Sequence, residues 1–240
     1  MSKFKSKMRH LDPDWADRIW LAAKARNFGA GASWLLPLAA LAVTGARPAS
    51  LEQGIHFAAR RDEKGRIYIQ ARVLGAKLLT HLDGTPKRGQ KEVRIIWYIE
   101  NNGERPTHRP YEFDAIARAL MHTPHREITV QYDAEAISTR LRCLSQELWP
   151  RKRYHVSAIC YRELFSAESK AAGVDPADLA AAMAHLSTES QGKYACNRRR
   201  TGKGQPRRTF STVIASSPVR VDRSPMTRFK RTNAIKARLG

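Results

Sequence analysis

The 240-residue chain is short of cysteine, short of acidic residues and without a long apolar run, and each shortage removes a class of protein. Its three cysteines, Cys143, Cys160 and Cys196, lie far apart, with no Cys-x-x-Cys pair and no Cys/His ligand spacing, which argues against a zinc module and a disulfide framework. Such usage suits the reducing cytoplasm. The longest apolar run, residues 34–43, is far below the roughly 20 residues of a membrane-crossing helix. The basic start "MSKFKSKMRH" leads into "LDPDWADR" where a secretory signal would have an apolar core. No membrane partner is expected. Against 22 Asp and Glu stand 43 Lys and Arg, a formal net charge of +21, which points to a polyanionic partner but names no activity. A hydrophobic content of 42% is enough for a real core and excludes a disordered chain.

Periodicity divides the chain. Asp12 and Pro13 read as the cap and first position of a helix that carries Trp15, Ile19, Ala22 and Ala23 at helical spacing up to Asn27 and Gly29. A second helix is expected over residues 33–43, with Pro37 in its first turn, and a short third from Pro48 to Gln53. Then "GIHFAARR", "RIYIQARVLG" and "KEVRIIWYIE" read as strands, joined by "DEKG" and by "AKLLTHLDGTPKRGQ". Helical spacing returns in "YEFDAIARALMH", "DAEAISTRLRCLSQELW", "VSAICYRELFSAESKAAG" and "DPADLAAAMAH". The expected fold is mainly α with a small three-stranded antiparallel sheet, in the α+β class. Residues 195–240 hold thirteen Lys and Arg against one acidic residue, Asp222. There "NRRRTGKGQPRRTF" reads as a flexible basic arm and "SPMTRFKRTNAIKARLG" as a short amphipathic docking helix.

Four side chains far apart in sequence suggest phosphate chemistry. Arg47, in "VTGARPASLEQG", is pinned between a glycine turn and Pro48; Arg162 lies in "YRELF"; His185 follows an alanine-rich helix; Tyr194 comes nine residues later. Two arginines can grip one phosphate and neutralise the charge that grows in phosphoryl transfer, and a tyrosine can attack the phosphorus. The histidines between His56 and His125 show no metal spacing, and Trp15, Trp20 and Trp34 read as core or interface anchors.

"TGARPASL", "YRELFSAESKAAG" and "MAHLSTESQGKYA" resemble, in order, spacing and helix-sheet-helix context, the first-arginine, second-arginine and His-to-Tyr boxes of the tyrosine recombinase (phage integrase) family, most like the integrases of mobile elements. The resemblance covers residues 14–197, the family's DNA breaking-rejoining catalytic domain, leaving residues 1–13 as a basic segment and 198–240 as the basic arm. It implies that Arg47 and Arg162 clamp the scissile phosphate and that His185 hydrogen-bonds a non-bridging oxygen. Tyr194 would form a 3′-phosphotyrosyl bond, and Lys77, in "VLGAKLLTHLDG", would protonate the 5′-oxygen leaving group. Lys87 and Lys91 share that loop and compete for the last role. The implied partners are double-stranded DNA and further copies of the chain in a synapse; no metal, ATP or other cofactor is implied. Only about a dozen residues precede the first expected helix, so the helical DNA-binding domain that usually comes first in the family is not read here, which leaves open a naturally short recombinase, an excised piece, or a protein completed by a partner that supplies that domain.

The chain departs from the family pattern at three places. Ile159 stands three residues before Arg162, where the family most often has a histidine, and can neither donate nor accept a proton. His155 lies one turn earlier, as a candidate substitute. Ser50 replaces the usual acidic neighbour of the first arginine, and Glu163 stands where a second histidine commonly follows the second. These departures keep two other readings open, a recombinase-like DNA-binding protein with impaired catalysis and a type IB topoisomerase-like relaxing enzyme. A basic RNA-binding protein is disfavoured, because the aromatic motifs of the common RNA modules are missing.

Overall fold

Helix α1 (Trp15–Arg26) turns Trp15, Ala16, Ile19, Trp20 and Ala23 inward, on the stripe that the spacing predicts. The computed structural model describes residues 11–26, 34–76, 78–99, 110–189 and 207–221. The first helix begins later than the Asp12 cap implies. Trp15 N–H donates to the Asp12 carbonyl and Arg18 N–H to the Asp14 carbonyl, which leaves the Asp12 carboxylate to pair with Arg18 and Lys152. The hydrogen bond from Lys152 outweighs partial burial and holds the Asp12 carboxyl below its ordinary pKa.

Helix α2 (Leu35–Thr44) is buried from Pro37 to Thr44, and Pro37 sits in the first turn, where a helix needs no donor. A helix apolar on every side belongs at the centre of a core. It packs against α4 (Tyr111–Met121) and α6 (Ala158–Ala171), while the short α3 (Pro48–Glu52) follows it directly. Asp133 caps α5 (Ala134–Leu148), and Asp175 caps α7 (Pro176–Ala182) by accepting the Ala177 N–H at 2.7 Å, with Pro176 at the first helical position.

The three expected strands form, as β1 (Ile55–Arg61), β2 (Ile67–Leu74) and β5 (Glu92–Tyr98), but they are not the whole sheet. The fold is mixed α/β with a five-stranded antiparallel sheet in the order β6-β1-β2-β5-β7, which corrects the expectation of a mainly α chain with a small three-stranded sheet. The added edge strands are β6 (Glu127–Val130) and β7 (Thr212–Ala215), four residues each. Strands that short carry too little alternation to be distinguished from a connection or a polar arm. Between β2 and β5, β3 (Leu79–Thr80) and β4 (Pro86–Arg88) form a separate hairpin. Ile55, Phe57, Ile69, Ala71, Val73, Val93, Ile95 and Trp97 fill the inner face of the sheet, and the register sets His56, Arg72 and Arg94 side by side on the outer face.

The segment 207–221, read from composition as part of a flexible arm, is built into the fold. Arg208 is buried against Glu112 of α4 at 2.8 Å, Glu168 of α6 at 3.3 Å and Asp17 of α1 at 3.3 Å. Burial alone would favour loss of its proton; the carboxylates, Glu112 foremost, reverse this and raise its pKa above the ordinary arginine value. Phe210 stacks on Phe165 with ring centroids 5.8 Å apart, and the Trp97 indole N–H donates to the Thr209 carbonyl at 2.6 Å. The chain then pairs with β5 and returns to Ser187 through a bridge at Arg220. The expected docking helix of residues 224–240 lies outside the described residues.

Candidate active site

Arg162 sits on the second turn of α6 and is 2% exposed. Its guanidinium donates from Nη1 to the Gly45 carbonyl at 2.7 Å and from Nη2 to the Met183 carbonyl at 2.5 Å. Nη2 also lies 3.1 Å from His185 Nε2. An arginine only donates, so this nitrogen accepts and the ring proton rests on Nδ1. The same few ångströms hold parts of all three boxes, although the first lies more than a hundred residues before the other two.

Each partner is positioned by its own local structure. Gly45 ends α2 in the left-handed region at φ 59°, donating to the Leu41 carbonyl at 3.0 Å. Only glycine fits, because a Cβ there would lie 2.6 Å from the Phe165 ring. Two residues on, Arg47 is the half-buried residue that opens α3, with extended backbone and Pro48 at the first helical position. Thr44 Oγ1 accepts the Ala46 N–H at 3.1 Å and donates to the Ala40 carbonyl at 2.6 Å, locking the turn. Among the described residues the Arg47 side chain makes no hydrogen bond or ion pair. Ser50, where the family pattern has an acid, is buried in the following turn.

His185 is set by a second left-handed residue, Ala184 at φ 53°. This turn sends the His185 N–H back to the Ala180 carbonyl at 2.8 Å. A non-glycine residue in this region costs about 1–2 kcal/mol and persists where its surroundings over-determine it. Gln90 supplies much of that constraint. Fully buried, it donates its backbone N–H to the Ala184 carbonyl at 3.2 Å and its amide to the carbonyls of His185 at 3.1 Å and Ser217 at 2.9 Å. Its side-chain oxygen accepts from the Ser217 N–H at 2.9 Å. Gly75, at the end of β2, packs so closely that a Cβ would lie 1.8 Å from the Gln90 carbonyl oxygen. Gln90 was missed in the sequence, where "KRGQKEV" reads as a polar connection.

Lys77 and Tyr194 lie outside the described residues, so only Arg47, Arg162 and His185 of the five candidates are located. Ile159 is half-buried on α6, one turn before Arg162. His155 precedes α6 and lines a cavity of about 440 Å³ with Glu135, Ser138, Thr139, Arg142 and Tyr154. None of Arg47, Arg162 and His185 lines that cavity. Tyr161, next to Arg162, is buried against Trp15; burial first, then the charge of Glu112, pushes its phenol well above the ordinary pKa. A phenol so held is a poor source of phenolate. Among the described residues no cluster of His, Cys, Asp and Glu is arranged to hold a metal ion, and no helix is long and apolar enough to cross a membrane. Compared with known protein families, characterised proteins and solved structures, the chain gives no match, and the reading of the site rests on its own residues.

Proposed function

We propose that the chain is a DNA strand transferase of the tyrosine recombinase kind, acting on double-stranded DNA in the cytoplasm. The observation that supports this best is the hydrogen-bonded set of Arg162, the Gly45 carbonyl beside Arg47, and His185. Two backbone carbonyls and an imidazole hold the Arg162 guanidinium in a fixed place, and a phosphate clamp requires that preorganisation. In this reading Arg47 and Arg162 hold two non-bridging oxygens and the Nδ1 proton of His185 serves an oxygen of the same phosphate. The Tyr194 oxygen bonds to phosphorus as the bond to the 5′-oxygen breaks; the phenolic proton passes to water and Lys77 protonates the departing oxygen. Attack by a different 5′-hydroxyl reverses these steps, and the phosphotyrosine conserves the bond energy without ATP. Copies of the chain would pair two duplexes.

A nicked suicide duplex tests this reading. The cleaved end diffuses away, so wild type should accumulate an adduct that survives a denaturing gel, and Tyr194→Phe should form none while still binding the duplex. A binding-only protein is the second reading, favoured by Ile159, which puts no donor one turn before Arg162. That reading is supported if wild type binds duplex DNA and forms no adduct.

A further inference from the structure

The hairpin between β2 and β5 displays apolar side chains to solvent. Leu82 at its tip is fully exposed, and Leu78 and Leu79 are about half exposed. The other large apolar side chains exposed among the described residues, such as Leu21, Met121 and Ile214, are scattered over separate elements. Single exposed leucines need no explanation, whereas three within five residues on one hairpin do.

The tip is ordered. Gly84 N–H donates to the His81 carbonyl at 3.0 Å and His81 N–H to the Thr85 carbonyl at 2.8 Å. Gly84 takes φ 78°, and Asp83 accepts from both the Thr85 N–H at 2.9 Å and the Thr85 hydroxyl at 2.6 Å. This turn holds Leu82 outward, fully exposed, with no described residue covering it. The base of the hairpin is equally fixed: Gly75 N–H donates to the Lys91 carbonyl at 3.1 Å, and adjacent Gln90 holds the His185 carbonyl. Lys87 and Lys91 are exposed on the returning limb. An apolar tip is thus carried on a basic stem rooted at the candidate phosphate site.

We propose that this hairpin is a wedge that inserts Leu82 between adjacent base pairs of duplex DNA and bends it beside the cleavage site. Charge complementarity selects the occupant: cations on the stem engage the phosphate backbone, and the leucine packs on the faces of the bases it separates, in place of their mutual stacking. Leu82 lies seven residue steps beyond Gly75, so at about 3.3 Å per step the tip reaches at most about 23 Å. At about 3.4 Å per base pair, the opened step lies within roughly seven base pairs of the scissile phosphate. The wedge rests on the DNA reading above and is separable from the chemistry, since unstacking needs neither Tyr194 nor Arg162.

Duplexes carrying 2-aminopurine, which fluoresces when unstacked, at each of those steps in turn test the proposal, with binding followed by anisotropy in the same samples. Wild type should raise the fluorescence severalfold at one or two steps and leave the others dark. Leu82→Ser should abolish the rise while duplex affinity changes by less than about threefold; Leu82→Met should preserve it. Circular dichroism should show Leu82→Ser folded, because the residue is fully exposed. A flat signal at every step in bound wild type overturns the wedge and leaves the DNA reading standing, as does a rise that survives Leu82→Ser. No duplex binding at low salt overturns both. A self-associated wild type that Leu82→Ser turns monomeric without DNA, or binding to anionic phosphatidylserine vesicles lost in that variant beside a flat fluorescence signal, assigns the leucine to another partner and overturns the proposal.

Discussion

Replacing Arg208 with methionine measures how far the fold depends on a residue whose local sequence reads as a solvated arm. The Arg208 side chain is 2% exposed and its partner Glu112 fully buried, so the pair exchanges little with water. Methionine fills most of the same space, and the change therefore isolates charge rather than packing. Glu112 and Glu168 lose a counter-charge, although Glu168 keeps the backbone donors of residues 207 and 208. Removing one member of a buried ion pair costs about 3–5 kcal/mol, and the surviving donors place this case near 3 kcal/mol. With a urea dependence of about 2 kcal/mol per molar, the unfolding midpoint should fall by about 1.5 M. Tryptophan fluorescence reads it, Trp15 and Trp97 being buried reporters close to the network. The triple variant Arg208→Met/Glu112→Gln/Glu168→Gln should recover more than half of the loss, because no uncompensated charge remains. A midpoint shift below about 0.3 M would refute the network's role, since an interaction worth under about 1 kcal/mol is that of a surface pair. A loss that the triple variant fails to recover would assign the effect to packing.

Gly45→Ala should cost about 2–4 kcal/mol in urea unfolding, from the left-handed backbone together with the clash on Phe165, and should slow single-turnover cleavage by shifting the carbonyl that holds Arg162; unchanged stability would refute the packing argument. Tyr161→Phe removes a buried hydroxyl with no hydrogen-bond partner among the described residues, so stability should stay the same or rise slightly and adduct formation should persist. Loss of the adduct in that variant would move the nucleophile to α6. Ile159→His should speed adduct formation on a suicide duplex by about 10²- to 10³-fold with little change in DNA affinity, the size of effect expected for one restored donor to a transition-state oxygen. A wild type already as fast as the variant would show that another group supplies the donor.

The sequence revealed the elements with enough length or charge chemistry to leave a pattern. The stripe of Trp15, Ile19 and Ala23, the apolar α2 and the alternation in β1, β2 and β5 are all repeats sampled several times, so their periods stood out. The edge strands β6 and β7 offered four residues each, and β7 lay in a segment whose Arg207 and Arg208 read as a solvated charge run. Charge runs are usually solvated, but Arg208 is buried because Asp17, Glu112 and Glu168 converge on it from three helices. That convergence is a property of the fold, invisible in any window of sequence. For the site, Arg162 and His185 were legible as members of ordered boxes, whereas Gln90 was not, because its work is done by four hydrogen bonds to backbone groups up to 127 residues away.

Helix α6 carries two buried arginine environments at once, and they differ in the partners that surround them. From one end it presents Arg162 to the Gly45 carbonyl, the Met183 carbonyl and His185; from the other it presents Glu168 to Arg208. Carboxylates neutralise Arg208, and such a charge has little left to offer a ligand. Two carbonyls and an imidazole fix the geometry of Arg162. The two are mechanically linked, because Phe165, between them on the helix, is pressed from one side by Gly45 and stacked from the other by Phe210. A shift of the 207–221 segment would therefore pass through Phe165 to the carbonyl that aims Arg162. The basic carboxy-terminal region is in this respect a support of the candidate site as well as a source of charge.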